Sequence, residues 1–480
     1  MLEAGGCRMV TDVIDRGNDE VAGSVVLLHG LSANKKIMAY LARAFAKQNL
    51  RVFVPDLPGH GRTPGPFSFS RAETCGDSFV RQLTSRGLIE PARTILAGHS
   101  MGGAIAIRIA PHIRAAGVIA ISPAPMSTKH GIANNLLPFE EAPPSSVKML
   151  VISGGWEPQG IRETARDLID GVDSPSRYEL IPHATHVSLI FDPRVARASQ
   201  GWAEQALGLS SGATAPSLLP LAGSLIGFVG VLLLAGPFLR ETFSTTAVGN
   251  AHQPAGPSVS SSAEPRLFAR LRTVPYLYVA CVSIAAVALL NAWQPLAFVR
   301  LFDGGYFFGF LLVVGLLVLP ARLKEIRGLA DTRLTPLLTA TVAGLIVFLL
   351  VSAWVDATLM EAWLTWSRWA RLPVLVTATL PYLVAEELIV PSVTDTHGAK
   401  RIVSALMLRA FSWPVMLFAI FVLHHGPILM LLLAPYFALL SIGQRAGMDV
   451  VRTETRSAAA AALFGAILLA GFCLVIFPVT

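Results

Sequence analysis

In "TILAGHSMGG" (residues 94–103), Ser100 lies between Gly98 and Gly102, at the point where an apolar run gives way to small residues that open a helix. Gly-x-Ser-x-Gly on a strand-to-helix turn exposes the serine hydroxyl, and a Cβ at either glycine would clash in so sharp a turn. The helix that follows aims its first N–H groups and its dipole at developing negative charge. A serine hydroxyl is a poor nucleophile until a base takes its proton, so a histidine and an orienting carboxylate are required downstream. "KMLVISGGWEP" puts Glu157 just past a strand, and "LIPHATHVSLIFDP" puts His186 just past the next. The chain order serine, acid, histidine suits acyl transfer on such a turn.

Competing readings exist for each residue. A chain of this length holds one Gly-x-Ser-x-Gly by chance in roughly one case in six or seven, so Ser100 as a plain turn residue is the alternative. Asp167, Asp170 and Asp173 compete with Glu157 but read as the solvated face of a helix. His183 lies three residues before His186. His60, in "PGHGR", reads as a loop-ordering residue, and His99 as structural.

The elements that must position these groups alternate between β-type and helix-type. Strand candidates are 24–30, 51–56, 94–98, 117–122, 148–155 and 177–182, most of them apolar throughout, as suits strands buried on both faces of a parallel sheet. The motifs "LLHGLSANK", "VPDLPGHGRTPG", "GHSMGG", "VISGGWEP" and "IPHATH" together make this region similar to the α/β-hydrolase family, most like its monoglyceride lipases, small esterases and serine aminopeptidases. That resemblance implies an α/β-hydrolase domain over residues 1–209. It implies Ser100 as nucleophile, His186 as base and Glu157 as acid, with backbone N–H groups of Leu31 and Met101 as the oxyanion hole. His29 and Gly30 would shape the oxyanion loop. The family more often carries Asp at the acid position, and the short stretch between "VIAIS" and "KMLVIS" leaves no large helical lid. No metal or cofactor is expected.

The rest of the chain is of another kind. The protein has 480 residues, 53% hydrophobic and 14% charged, with net charge +7, too apolar for an ordinary soluble domain. Beyond a Ser/Gly/Pro joint at 208–217, eight runs are long enough to cross a bilayer: 217–239, 274–293, 301–320, 335–355, 373–390, 403–424, 426–443 and 458–479. Residues 210–480 thus read as an all-α transmembrane domain, with a flexible loop at 242–265 and a Trp/Arg-rich interfacial segment at 361–373. The positive charge lies in short loops beside these runs, and no basic stripe suggests nucleic acid. The expected partners are the lipid bilayer and a small ester or acyl-lipid substrate; oligomeric state is left open. Cys7, Cys75, Cys281 and Cys473 show no paired or metal-like spacing.

Ionisable residues inside such runs are functional candidates by default. Glu386, Glu387, Arg409 and His425 form the candidate intramembrane polar site, read first as a network holding helices together. The Glu pair followed by "FVLHH" also resembles CAAX-type intramembrane prenyl endopeptidases, which implies protease activity. The arginine that family carries just after the pair is absent here, with Pro391 near its place. A transporter or membrane-binding protein with an accessory hydrolase is the remaining alternative. Lys/Arg counts place the odd-numbered loops in the cytoplasm and the hydrolase outside it. The charged N-terminus, however, has no apolar signal-peptide core, and it leaves little room for leading strands.

Overall fold

The apolar runs become a parallel sheet. Strands β4 (Gly23–Leu28), β5 (Leu50–Pro55), β6 (Thr94–His99), β7 (Gly117–Ile121), β8 (Met149–Gly154) and β9 (Arg177–Ile181) coincide with the six expected runs. Every residue of β4, β6, β7 and β8 is buried, which is why they read as continuous apolar stretches. The N-terminal stretch, expected to hold little, forms three more strands: β1 (Leu2–Ala4), β2 (Cys7–Met9) and β3 (Thr11–Ile14). β3 joins antiparallel to β5, completing a seven-stranded sheet of order β3-β5-β4-β6-β7-β8-β9. These strands are only three or four residues long, too short for hydrophobic periodicity to reveal.

A computed structural model of the chain describes residues 2–4, 6–17, 21–131, 139, 147–170, 172, 175–210, 212, 214–247, 274–322, 334–391, 398–422, 429–430 and 433–480. They form two compact units. The first comprises Met1–Ser224, Val355–Ala362 and Pro478–Thr480, and the second Leu225–Trp354 and Trp363–Phe477. His425, most of the expected loop at 242–265 and most of the stretch where a lid was not expected lie outside the described residues.

In the first unit, α1 (Ala39–Ala46) and α5 (Pro193–Leu207) share one core with one face of the sheet, where Leu41, Phe45 and Trp202 meet Val25, Val52 and Ile119. Each such side chain, fully buried, contributes about 1.5–3 kcal/mol. Helix α2 (Phe69–Ser85) packs on α3 (Met101–Ile113), which packs in turn on β6 and β7. Helix α4 (Gln159–Asp167) follows β8. Local signals set the limits of α5: Asp192 Oδ1 accepts the Arg194 N–H at 2.8 Å, Pro193 occupies the first turn, and Gly208 at φ 67° ends the helix. Cys7 and Cys75 form a disulfide between β2 and α2, with Cα atoms 5.5 Å apart. This corrects the expectation that the cysteines are unpaired: the β1–β2 hairpin, invisible in the sequence, carries Cys7 to α2.

The second unit is helical: α6 (Leu219–Ala247, most of it), α7 (Val274–Ala292), α8 (Gly304–Val318), α9 (Leu334–Thr358, to Trp354), α10 (Leu372–Ile389), α11 (Gly398–Val422), α12 (Ala434–Thr455) and α13 (Ala458–Ile476). Each of the eight expected runs overlaps one of these helices. Among the described residues seven helices are long and apolar enough to span a membrane, and α12 is not one of them. Its C-terminal half carries Gln444, Arg445, Asp449, Arg452 and Glu454, so residues 434–443 of the expected run at 426–443 belong to a mixed helix. Helix α10 packs against α8 and α13. A Cβ at Gly315 would lie 2.3 Å from the Tyr382 nitrogen, so glycine there permits the close approach of α8 to α10.

Candidate active site

The parallel register lines up the strand ends that carry chemistry. Leu28 pairs with Gly98, His99 with Ile121, and Ile121 with Ile152, so the segments after β4, β6, β7 and β8 emerge side by side at the carboxyl edge of the sheet. They hold Leu31, Ser100, Ser122 and Glu157, and the segment after β9 brings His186.

Ser100 sits in the turn between β6 and α3 at φ 53°, ψ −118°, a conformation costly for a residue with a Cβ. Its N–H donates to the Ile121 carbonyl at 2.9 Å. The turn depends on both glycines: a Cβ on Gly98 would lie 2.3 Å from the Gly102 carbonyl, and one on Gly102 would lie 2.3 Å from the Leu28 oxygen. Gly30 is equally confined, because a Cβ there would stand 3.2 Å from Ser100 Cβ. The loop that carries Leu31 therefore lies directly against Ser100. Among the described residues neither the Leu31 nor the Met101 N–H has an acceptor, and Ser100 Oγ has no hydrogen-bond partner.

His186 Nδ1 donates to Glu157 Oε1 at 2.7 Å, leaving Nε2 as the free ring nitrogen. Glu157 Oε2 accepts the Gly154 N–H at 2.7 Å, while Ser122 Oγ donates to Oε1 and lies 2.8 Å from His186 Nδ1. Burial pushes the Glu157 carboxyl up, but the bonds from His186, Ser122 and Gly154 outweigh it and hold the group below its ordinary value. His99 donates from Nε2 to the His186 carbonyl at 2.9 Å, which fixes His186 through its backbone. Burial, with His186 nearby, pulls the His99 ring down to about 3, so it stays neutral.

The other histidines order the loops. His29, pulled down to about 4 by burial, donates from Nδ1 to the Gly30 carbonyl at 2.8 Å and accepts the Leu57 N–H at 2.9 Å. His60 Nε2 accepts the Ser32 N–H at 3.2 Å. His183 lies beside Trp156, and Asp167 meets His130 at 2.9 Å, away from His186; Asp170 makes only a backbone turn. Asp173 lies outside the described residues. Ser122 is the residue that sequence reasoning missed. Its signal was positional: it directly follows β7, which lies between the strand before Ser100 and the strand before Glu157.

The other candidate cluster is built differently. Glu386 takes Arg409 through two bonds, 2.8 and 3.1 Å, and Arg445 at 3.1 Å. Glu387 pairs with Arg445 at 2.5 Å and Arg401 at 3.3 Å, Arg401 reaches Asp449 at 3.1 Å, and Gln444 accepts from Arg409 at 2.8 Å. All of these groups are buried. Arg401, Gln444, Arg445 and Asp449 were not singled out in the sequence; they lie on α11 and α12, which only packing brings to α10. Among the described residues no group of three or more His, Cys, Asp or Glu is placed to hold a metal ion.

A parallel sheet carrying a serine in a strained strand-to-helix turn, with a carboxylate and a histidine past its later strands, is the arrangement of an α/β-hydrolase domain. Residues 25–206 match the family described as the alpha/beta hydrolase family, and this part of the chain is an α/β-hydrolase domain followed by a helical region with several long apolar helices. An AB hydrolase superfamily protein of Bacillus subtilis is 33% identical over 84 residues, 18% of this chain and 30% of that protein. The pimeloyl-[acyl-carrier protein] methyl ester esterase of Nitrosospira multiformis is 32% identical over 88 residues, 18% of this chain and 32% of that enzyme. The chain thus spans about a third of the length of the curated relatives it matches. Among solved structures, the monoacylglycerol lipase of Paleococcus ferrophilus is 20% identical, with TM-score 0.34, over 42% of this chain and 99% of that one.

Proposed function

We propose that the protein is a membrane-anchored serine hydrolase that cleaves a carboxylic ester. The 2.7 Å bond from His186 to Glu157, past β9 and β8 at the same carboxyl edge of the sheet as the Ser100 turn, carries this reading. His186 Nε2 takes the Ser100 proton, and Ser100 Oγ attacks the ester carbonyl. The oxyanion is held by the Leu31 and Met101 N–H groups, and the imidazolium by Glu157. The tetrahedral intermediate collapses as His186 returns the proton to the leaving alkoxide; water, activated by the same ring, then releases the acid and frees Ser100.

An amphiphilic acyl substrate is the class we favour. Trp156, next to Glu157, is 67% exposed, and Val187 beside His186 is exposed too, giving the site an apolar rim. The long apolar helices supply the anchor, with Trp363 and Trp366 exposed as headgroup-zone residues. We place the hydrolase on the oxidising side of the membrane, which the Cys7–Cys75 disulfide supports. The paired charges around Glu386 favour a helix brace over an intramembrane protease. A membrane-impermeant fluorophosphonate probe applied to intact cells should label the wild type and not Ser100→Ala. Labelling that survives Ser100→Ala ends the nucleophile assignment, and labelling seen only after lysis reverses the sidedness.

A further inference from the structure

The oxyanion loop needs support on two sides. One side is local: Ala33 N–H donates to the Gly30 carbonyl at 3.2 Å, and His29 and His60 hold the loop as described. The other side comes from the far end of the chain. Asn34 Oδ1 accepts the Glu361 N–H at 3.2 Å, and its Nδ2 donates to the Glu361 carbonyl at 3.4 Å, a two-point clamp between residues 327 positions apart. The same Oδ1 accepts the Lys36 N–H at 3.2 Å and so starts the turn Lys35–Met38.

Lys35 continues the clamp. Its N–H and Nζ bond Asp56 at 2.8 and 3.0 Å, and its Nζ also donates to the Glu361 carboxylate. Arg62 approaches the same carboxylate at 3.4 Å, and Lys36 Nζ reaches Asp356 at 2.9 Å. Lys35, Asp56 and Glu361 are all buried. Gly61, at φ 50°, is needed here because a Cβ would stand 2.5 Å from Glu361 Oε2. Val355–Ala362 is thus an integral part of the hydrolase unit, with Asp356, Glu361 and Ala362 buried beside the residues that follow the oxyanion loop.

We propose that Glu361, acting through Asn34 and Lys35, is a positioning residue for the oxyanion hole. Its peptide and carboxylate fix the trailing end of the loop whose Leu31 N–H must meet the developing oxyanion, so the reaction depends on a stretch outside the α/β-hydrolase sequence region. An oxyanion donor acts only when held in place beforehand, and displacement by a fraction of an ångström lowers the rate of the chemical step while leaving ground-state binding nearly unchanged. This inference rests on the serine-hydrolase reading.

The test uses the full chain in detergent micelles, with a short-chain p-nitrophenyl ester and a boronic acid as tetrahedral mimic. Glu361→Ala should lower kcat about ten- to a hundredfold with KM within about twofold, and weaken the boronic acid by a similar factor. Glu361→Gln, which still accepts from Lys35, should recover most of the loss. Asn34→Asp, which cannot donate to the Glu361 carbonyl, should move kcat in the same direction and covers the case in which Glu361→Ala fails to fold. Unchanged kcat in both Glu361→Ala and Asn34→Asp overturns the proposal. So does a loss in kcat without weaker boronic acid binding, or one that Gln does not recover. Wild-type turnover that is absent, or that survives Ser100→Ala, overturns the hydrolase reading instead.

Discussion

The groups around Ser100, partly open to solvent, and those around Glu386, all buried, are both polar clusters, and they dispose of their polar groups in opposite ways. Near Ser100 the supporting atoms are saturated while the acting ones are open: Glu157 accepts three donors, yet Ser100 Oγ and the Leu31 and Met101 N–H groups have no partner among the described residues. Near Glu386 each carboxylate meets one or more guanidinium groups, and each guanidinium a carboxylate. Reactivity needs an uncommitted atom held by committed neighbours, whereas a brace needs every charge compensated. The strain at Ser100 belongs to the first kind of cluster.

The sharpest way to break this contrast is at the nucleophile. Ser100→Ala or His186→Ala should lower kcat/KM on a short-chain ester about ten-thousandfold or more, with secondary structure unchanged by circular dichroism. Turnover within tenfold of wild type in either variant would place the chemistry elsewhere.

The second cluster should respond in stability. Glu386→Ala leaves the buried Arg409 without its carboxylate, while Arg445 keeps Glu387 and Asp449, and the unpaired charge costs about 3–5 kcal/mol. Thermal unfolding of the helical region in micelles should move down accordingly, with ester turnover of the folded protein unchanged. A variant that melts like wild type but loses cleavage of a membrane peptide would make Glu386 part of a second active site.

The two clusters also differ in how much of each was legible beforehand. Ser100 and Glu157 each follow a buried strand whose apolar run is unmistakable, His186 follows the more exposed edge strand β9, and the register of a parallel sheet does the rest. Ser122 lies at an equally regular place, but a serine before a proline at a strand end looks like any turn. Glu361, Arg401 and Arg445 were hidden for another reason: their partners lie on separate elements, and no local pattern encodes which helix meets which. Cys7 was missed because three-residue strands leave too few positions for a period to show. Helix length and apolarity were readable along the whole second half, except where the charges of α12 are the ones that pair inside the bundle.

Acid should act on the hydrolase unit through its buried imidazoles. His29 is held at about 4 against an ordinary value of 6.5, because burial disfavours its charged form. Between those values the unfolded chain binds a proton that the folded one refuses, so stability is full above about pH 6.5 and falls as the pH drops towards 4. The loss attributable to His29 is roughly 3 kcal/mol, and His99 acts in the same direction. Urea unfolding at pH 7, 5.5 and 4 should show the decline, and His29→Gln should flatten it; parallel curves for the two proteins would refute the assignment.

The smallest effect belongs to Ser122, and it tests whether the saturated shell around the acid matters. Removing the hydroxyl takes one donor from Glu157 Oε1 but leaves the bonds from His186 and Gly154. A hydrogen bond to a charged group contributes about 1.5–3 kcal/mol, part of which the remaining donors recover, so Ser122→Ala should lower kcat roughly tenfold with little change in KM. Without that donor the carboxylate is less well stabilised, which brings the Glu157 pKa up. Combined with Glu157→Gln the loss should be far less than additive, because both changes act on the same carboxylate. Additive losses would mean that Ser122 serves the site by another route, for instance through its 2.8 Å approach to His186.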